Sequence, residues 1–125
     1  MTARLALLLG ALFAFAAVAL GAFGAHALRG RVEPEMAAVW ATAVQHHGWH
    51  ALALLAAGLL LAHRPEVQAV RAAAWLFVAG IVLFSGSLYA YVLTGARGLA
   101  MVTPAGGVAF LAGWAALAWG AWRMR

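Results

Sequence analysis

Cysteine, aspartate, asparagine and lysine are all missing from this 125-residue sequence. Without cysteine there is no disulfide, no thiolate-held zinc, no iron–sulfur cluster and no covalently attached c-type haem. Without aspartate there is no Ser/His/Asp triad. Acidic residues number three, Glu33, Glu35 and Glu66, and none interrupts an apolar run. No carboxylate is therefore available inside a span as a proton relay. The three prolines, Pro34, Pro65 and Pro104, also stand between the runs. Only 9% of residues are charged while 67% are hydrophobic, and the mean hydropathy is +0.96. A soluble domain of this size cannot cover that much apolar surface, so the class is integral membrane protein. All eight basic residues are arginine and give a net charge of +5. They sit at the ends of apolar runs and never form a basic stripe, so no nucleic-acid partner is expected.

Spanning about 30 Å of hydrocarbon takes roughly 20 helical residues. Four stretches qualify, Ala3–Ala25, Ala37–Ala62, Val70–Leu93 and Pro104–Trp122. Arg4 followed by an apolar run and the small-residue site Ala25-His26-Ala27 loosely fits a signal peptide. However, Leu5–Ala25 is longer than a usual signal core and reads as a retained span. Short connections make neighbours antiparallel. The expected fold is all-α: one domain over residues 1–125, a four-helix up-down membrane bundle with both termini on one side. Each proline is expected at a helix start, where its missing N–H costs nothing. Thr103 reads as an N-cap, and His63 as a loop residue. Arg4, Arg64, Arg71, Arg123 and Arg125 fall on the terminal side, and Arg29, Arg31 and Arg97 on the other. The positive-inside rule therefore puts the termini in the cytoplasm.

Gln45-His46-His47-Gly48-Trp49-His50 opens the second run. Residues on a helix follow at about 100°, so His46, His50 and His47 share one face. His46 and His50, four apart, could chelate a metal from one face. Their shallow depth beside Trp40 and Trp49 also suits hydrogen bonding at an interfacial belt. The third run carries Ser85 and Tyr89 on one face and Ser87 and Tyr91 on nearly the opposite one. A helix serine ordinarily bonds its own backbone, so these hydroxyls alone do not signal catalysis. Gly21, Gly24, Gly80, Gly86, Gly106, Gly107 and Gly113 let helices approach closely inside the bundle, and leftover small-residue faces would serve homo-oligomer contacts.

Four blocks, GAFGAH (Gly21–His26), HALALL (His50–Leu55), LFSGSLY (Leu83–Tyr89) and TPAGG with FLAGW (Thr103–Gly107, Phe110–Trp114), resemble the YgdD-like family of small four-span bacterial membrane proteins. The resemblance covers all four helices in order. It implies a plasma (inner) membrane address and a bundle fold, and brings no established activity. His26 and His50 match the family pattern. At His46-His47 the family more typically shows tyrosine followed by glutamine or histidine, so a three-histidine metal centre would be peculiar to this chain.

In the up-down arrangement the four blocks share the half of the membrane away from the termini. This points to a polar pocket lined by His26, His50, Ser85, Tyr89 and Thr103, with Gln45, His46, His47 and Ser87 as secondary polar groups. Such a pocket suits a polar headgroup above an apolar tail. The expected function is non-enzymatic: the polar residues bind a lipid-like or other small amphiphile, or merely order the bundle, with membrane lipids as partners and no metal or other cofactor. A proton- or metal-linked transporter and a haem or metal oxidoreductase ligated by His26 and His50 are the rivals. His50 is expected inside the bundle, bonded to the first or third helix.

Overall fold

Regularly spaced small residues set the architecture. In the computed structural model, which describes residues 1–125, helix α1 (Ala3–His26) runs antiparallel to α2 (Pro34–His63). Along their seam Leu7 faces Gly58, Gly10 faces Leu55, Ala17 faces Gly48, Gly21 faces Val44 and Gly24 faces Trp40. These α1 positions advance by three, seven, four and three residues, the period of a left-handed seam of interlocking helices. A Cβ at Gly10 would stand 2.8 Å from Leu55 Cγ, and one at Gly58 2.9 Å from Leu7 Cγ. Glycine is what allows these helices to touch.

The second half of the chain follows the same rule. Helix α3 (Gln68–Gly80), a π-helical segment (Ile81–Ser85) and α4 (Gly86–Thr94) form one 27-residue span. A 3₁₀ turn (Arg97–Met101) leads into α5 (Thr103–Arg123). Gly120 meets Val70, Gly113 meets Phe77, Gly80 meets Phe110 and Gly106 meets Phe84. At the end of this seam Ser87 and Thr103 share a hydrogen bond of 2.7 Å. Nearly every layer sets a large side chain against a small one, so dispersion contacts are made without a void.

The two hairpins join through α2 and α3–α4, while α1 and α5 make little contact with each other. Ala6, Leu54, Ala57, Leu61, Val70 and Ala74 form the buried core beside the termini, flanked by Met1 and Met124. At that end Arg64 Nη1 donates to the Arg125 carbonyl at 3.0 Å, tying the second loop to the C-terminus. The protein is thus an all-α four-helix bundle with both termini at one end. α1, the α3–α4 span and the Arg97–Arg123 stretch are long and apolar enough to cross a membrane. α2 is the longest helix at 30 residues, and its histidines dilute its apolar character.

Four local readings change. α2 begins at Pro34 rather than Ala37, because a polar first turn with Pro34 at its head and Glu35 behind it is good helix although poor hydrocarbon. Pro65 does not start a helix; it lies in the turn before Gln68, and its carbonyl accepts from Arg71 Nη2 at 2.9 Å. Thr103 is the first residue of α5 and forms no cap, since its hydroxyl is used across the seam by Ser87. The side-chain cap is instead Thr2, whose Oγ1 accepts from the Leu5 N–H at 3.1 Å. His63 is the last residue of α2, exposed and bonded to the Leu59 carbonyl. Gly95 closes α4 at φ 71°, a left-handed position open to glycine at no steric cost, with its N–H on the Tyr91 carbonyl.

Candidate functional site

Several polar side chains in the half away from the termini are bonded across the helices. Ser85, fully buried in the π segment, donates to the Ala43 carbonyl of α2 at 2.8 Å. His47 Nδ1 and the Tyr89 hydroxyl are 2.8 Å apart and tie α2 to α4. Ser87 and Thr103 tie α4 to α5. Trp40 Nε1 donates to the Leu20 carbonyl of α1 at 2.8 Å, with its ring in the space that the missing Gly24 side chain leaves.

His50 is buried and has both ring nitrogens engaged. Nε2 accepts from Trp114 Nε1 at 3.0 Å, and Nδ1 lies 2.7 Å from the His46 carbonyl of its own helix. An indole N–H only donates, so Nε2 carries the lone pair and the proton sits on Nδ1. The ring lies flat on Phe110, centroids 3.6 Å apart. The expected partner on the first or third helix is corrected: it is Trp114 of α5, which no hydropathy pattern separates from an interfacial belt tryptophan. His50 can bind neither metal nor haem without giving up one of these bonds. No three His, Cys, Asp or Glu side chains converge on a point that could hold a metal ion.

The five residues expected to line one pocket are not brought together. Four of them, His50, Ser85, Tyr89 and Thr103, are used in separate interhelical bonds, and His26 is exposed at the end of α1. The α1–α2 register sets His26 level with about residue 39, roughly 16 Å along the axis from His50 at 1.5 Å per residue. Of the secondary group, His47 is 3% exposed and its Nε2 has no hydrogen-bond partner. His46 is half-buried between Trp49 and Phe84, Ser87 is buried, and Gln45 is exposed.

The larger cavities open in two other places. One groove of about 550 Å³ lies between α2 and α5 among His46, Trp49, Phe84, Phe110 and Trp114, and its surface is apolar. The other runs along α1 and α2 as two adjoining recesses of about 560 and 710 Å³ that share Gly21, Ala25, Val44 and Gln45. The upper recess adds Gly24, Leu28, Trp40 and Thr42 and is partly polar, while the lower adds Ala14, Ala17, Gly48 and Leu52 and is almost wholly apolar. The lower recess exists because Ala17 meets Gly48, the one described seam layer in which both partners are small. Gln45 is the only sequence-selected polar residue that lines it.

Outside the spans, Glu66 is bonded to Arg64 Nε at 2.7 Å, and this bond holds its carboxyl below the usual range.

The model of a family described as protein of unknown function, DUF423, matches residues 20–107. The chain is 47% identical over 108 residues to the Bacillus subtilis membrane protein YwdK, covering 86% of this chain and 88% of that one. It is 45% identical over 111 residues to the Staphylococcus aureus membrane protein SAB0533, covering 89% of each. The Escherichia coli inner membrane protein YgdD is 40% identical over 125 residues, covering all of this chain and 95% of its own. No solved structure matches. With most of its length matched by the family model and its four helices arranged as a membrane bundle, the chain belongs to the DUF423 family of membrane proteins, of unknown function.

Proposed function

We propose that the protein is a non-enzymatic component of the bacterial inner membrane, termini cytoplasmic, that holds a lipid or similar small amphiphile in the α1–α2 groove. The continuity of the two recesses carries this reading. A partly polar end beside Thr42 and Gln45 leads without a break into an apolar trench reaching Ala14 and Leu52. From Ala37 to Leu52 the groove follows about 22 Å of α2, enough for a headgroup at the interface and a tail through one leaflet. No charged side chain lines either recess, so an uncharged hydrogen-bonding headgroup fits best. The arginine count, five against three, supports cytoplasmic termini.

Gly48→Leu tests it. A Cβ at Gly48 would stand 3.9 Å from Ala17 Cβ, so the longer side chain enters the trench without forcing the helices apart. Native mass spectrometry of protein extracted in mild detergent should show a retained lipid adduct in the parent and its loss in Gly48→Leu, with the melting temperature held. An unchanged adduct, or none in the parent, refutes the reading.

A further inference from the structure

The opposite end of the molecule carries a different kind of site. Two adjoining recesses of about 260 and 330 Å³ share Trp119 and Arg123. The first is completed by Trp122 and Arg125, and the second includes Arg64 and Glu66. Arg64 is committed, with Nε on Glu66 at 2.7 Å and Nη1 on the Arg125 carbonyl at 3.0 Å. Arg123 is not: its guanidinium carbon stands 5.6 Å over the centre of the Trp119 ring, and it makes no ion pair. A cation–π contact uses the face of the guanidinium and leaves the N–H edge free. The side chain of Arg125 makes no ion pair either.

Charge balance singles out the same end. Arg4, Arg64, Arg71, Arg123 and Arg125 meet one side-chain carboxylate there, Glu66, leaving four positive charges unmatched. At the far end Arg29, Arg31 and Arg97 meet Glu33 and Glu35, leaving one. Trp119 and Trp122 are 57% and 83% exposed, and such amphipathic rings settle at headgroup level beside acyl chains.

We infer that Arg123 and Arg125, framed by Trp119 and Trp122, hold the phosphate of an anionic phospholipid such as phosphatidylglycerol. Guanidinium edges offer paired donors to phosphate oxygens. A phosphocholine headgroup would bring its own cation into a field already positive, so the site distinguishes anionic from zwitterionic lipid. This inference is independent of the α1–α2 groove, which lies mainly in the other half of the bundle.

Native mass spectrometry with phosphatidylglycerol and phosphatidylcholine of identical acyl chains, added in equal amounts, tests it. The parent should favour phosphatidylglycerol by about thirty-fold, from two arginines at about 1 kcal/mol each. Arg123→Gln with Arg125→Gln should bring the ratio near one. The Arg29→Gln, Arg31→Gln control at the far end should leave it unchanged. A preference that survives the first pair, or that falls equally in the control, overturns the assignment. So does inorganic phosphate displacing the lipid at equal concentration, which would make this a free-phosphate site.

Discussion

Gly106 and Gly107 are neighbours on α5, yet adding a methyl group to each should have opposite effects. A Cβ at Gly106 collides with the Phe84 backbone nitrogen and Cα and lies 2.7 Å from Phe84 Cβ. Backbone cannot rotate aside, so α5 would have to withdraw from the π segment. That movement also strains the Ser87–Thr103 bond one layer away. Overpacking a tight interface costs about 1–3 kcal/mol, and a rigid obstacle puts this site at the upper end. Alanine's helix propensity returns about 1 kcal/mol, leaving Gly106→Ala roughly 2 kcal/mol less stable. At Gly107 the nearest atom is Phe84 Cδ2 at 3.9 Å, ordinary contact, so Gly107→Ala should gain up to about 1 kcal/mol from propensity alone. Unfolding in mixed micelles with increasing dodecyl sulfate would measure both. Equal midpoints, or Gly107→Ala the weaker, would show that the seam does not hold the helices at this separation.

His50→Ala should lower the melting temperature more than His46→Ala, because it leaves the Trp114 N–H unpaired in an apolar setting, at about 1–3 kcal/mol, and unstacks Phe110; equal drops in detergent melts would refute the ranking. A double-mutant cycle of His47→Phe and Tyr89→Phe should return a coupling of about 0.6–1.7 kcal/mol, the range for hydrogen bonds inside membrane proteins, and zero coupling would mean that the 2.8 Å bond does not form. The Glu66 carboxyl is held below its ordinary value of 4.5 by Arg64, so the pair stabilises the protein above that value and is lost as pH falls through the lower folded one. Glu66→Gln should flatten the acid limb of the stability–pH curve near that range, and an unaltered limb would count against the pair.

Helix number, order and topology were legible because hydropathy over some 20 residues is a long-window signal that survives local detail. Helix ends were less so: Pro34–Met36 are helical but polar, and hydropathy marks where hydrocarbon ends, not where the helix does. The π segment had no warning, since Ile81-Val82-Leu83-Phe84-Ser85 contains neither proline nor glycine. Ser85, Ser87, Tyr89, Thr103 and His50 each bond to another helix instead of lining one pocket, and helical angles from one chain cannot say which neighbour each will meet. Their partners, the Ala43 carbonyl and Trp114 among them, lie 42 and 64 residues away along the chain. The groove was harder still, because alanine and glycine line it and absence of bulk leaves no chemical mark. A signal did exist in the three-and-four spacing of Leu7, Gly10, Ala17, Gly21 and Gly24, matched in reverse along α2.

That spacing explains why cavities fall where they do. In a soluble bundle, water would penalise a small residue facing another small residue, because the void it leaves is apolar and dry. In a membrane the same gap opens sideways to acyl chains and can be filled by one. Leu7 against Gly58 and Leu55 against Gly10 close the α1–α2 seam near the termini, while the two recesses occupy the rest, from Ala17 and Gly48 to Gly24 and Trp40. At Ala17 and Gly48 both partners are small, and the apolar trench opens at that point. In the second hairpin glycine meets phenylalanine or valine at four layers, and the larger groove beside it opens on the α2 flank. The two hairpins therefore share a packing rule and differ at the Ala17–Gly48 layer, and the proposed amphiphile groove runs past that layer.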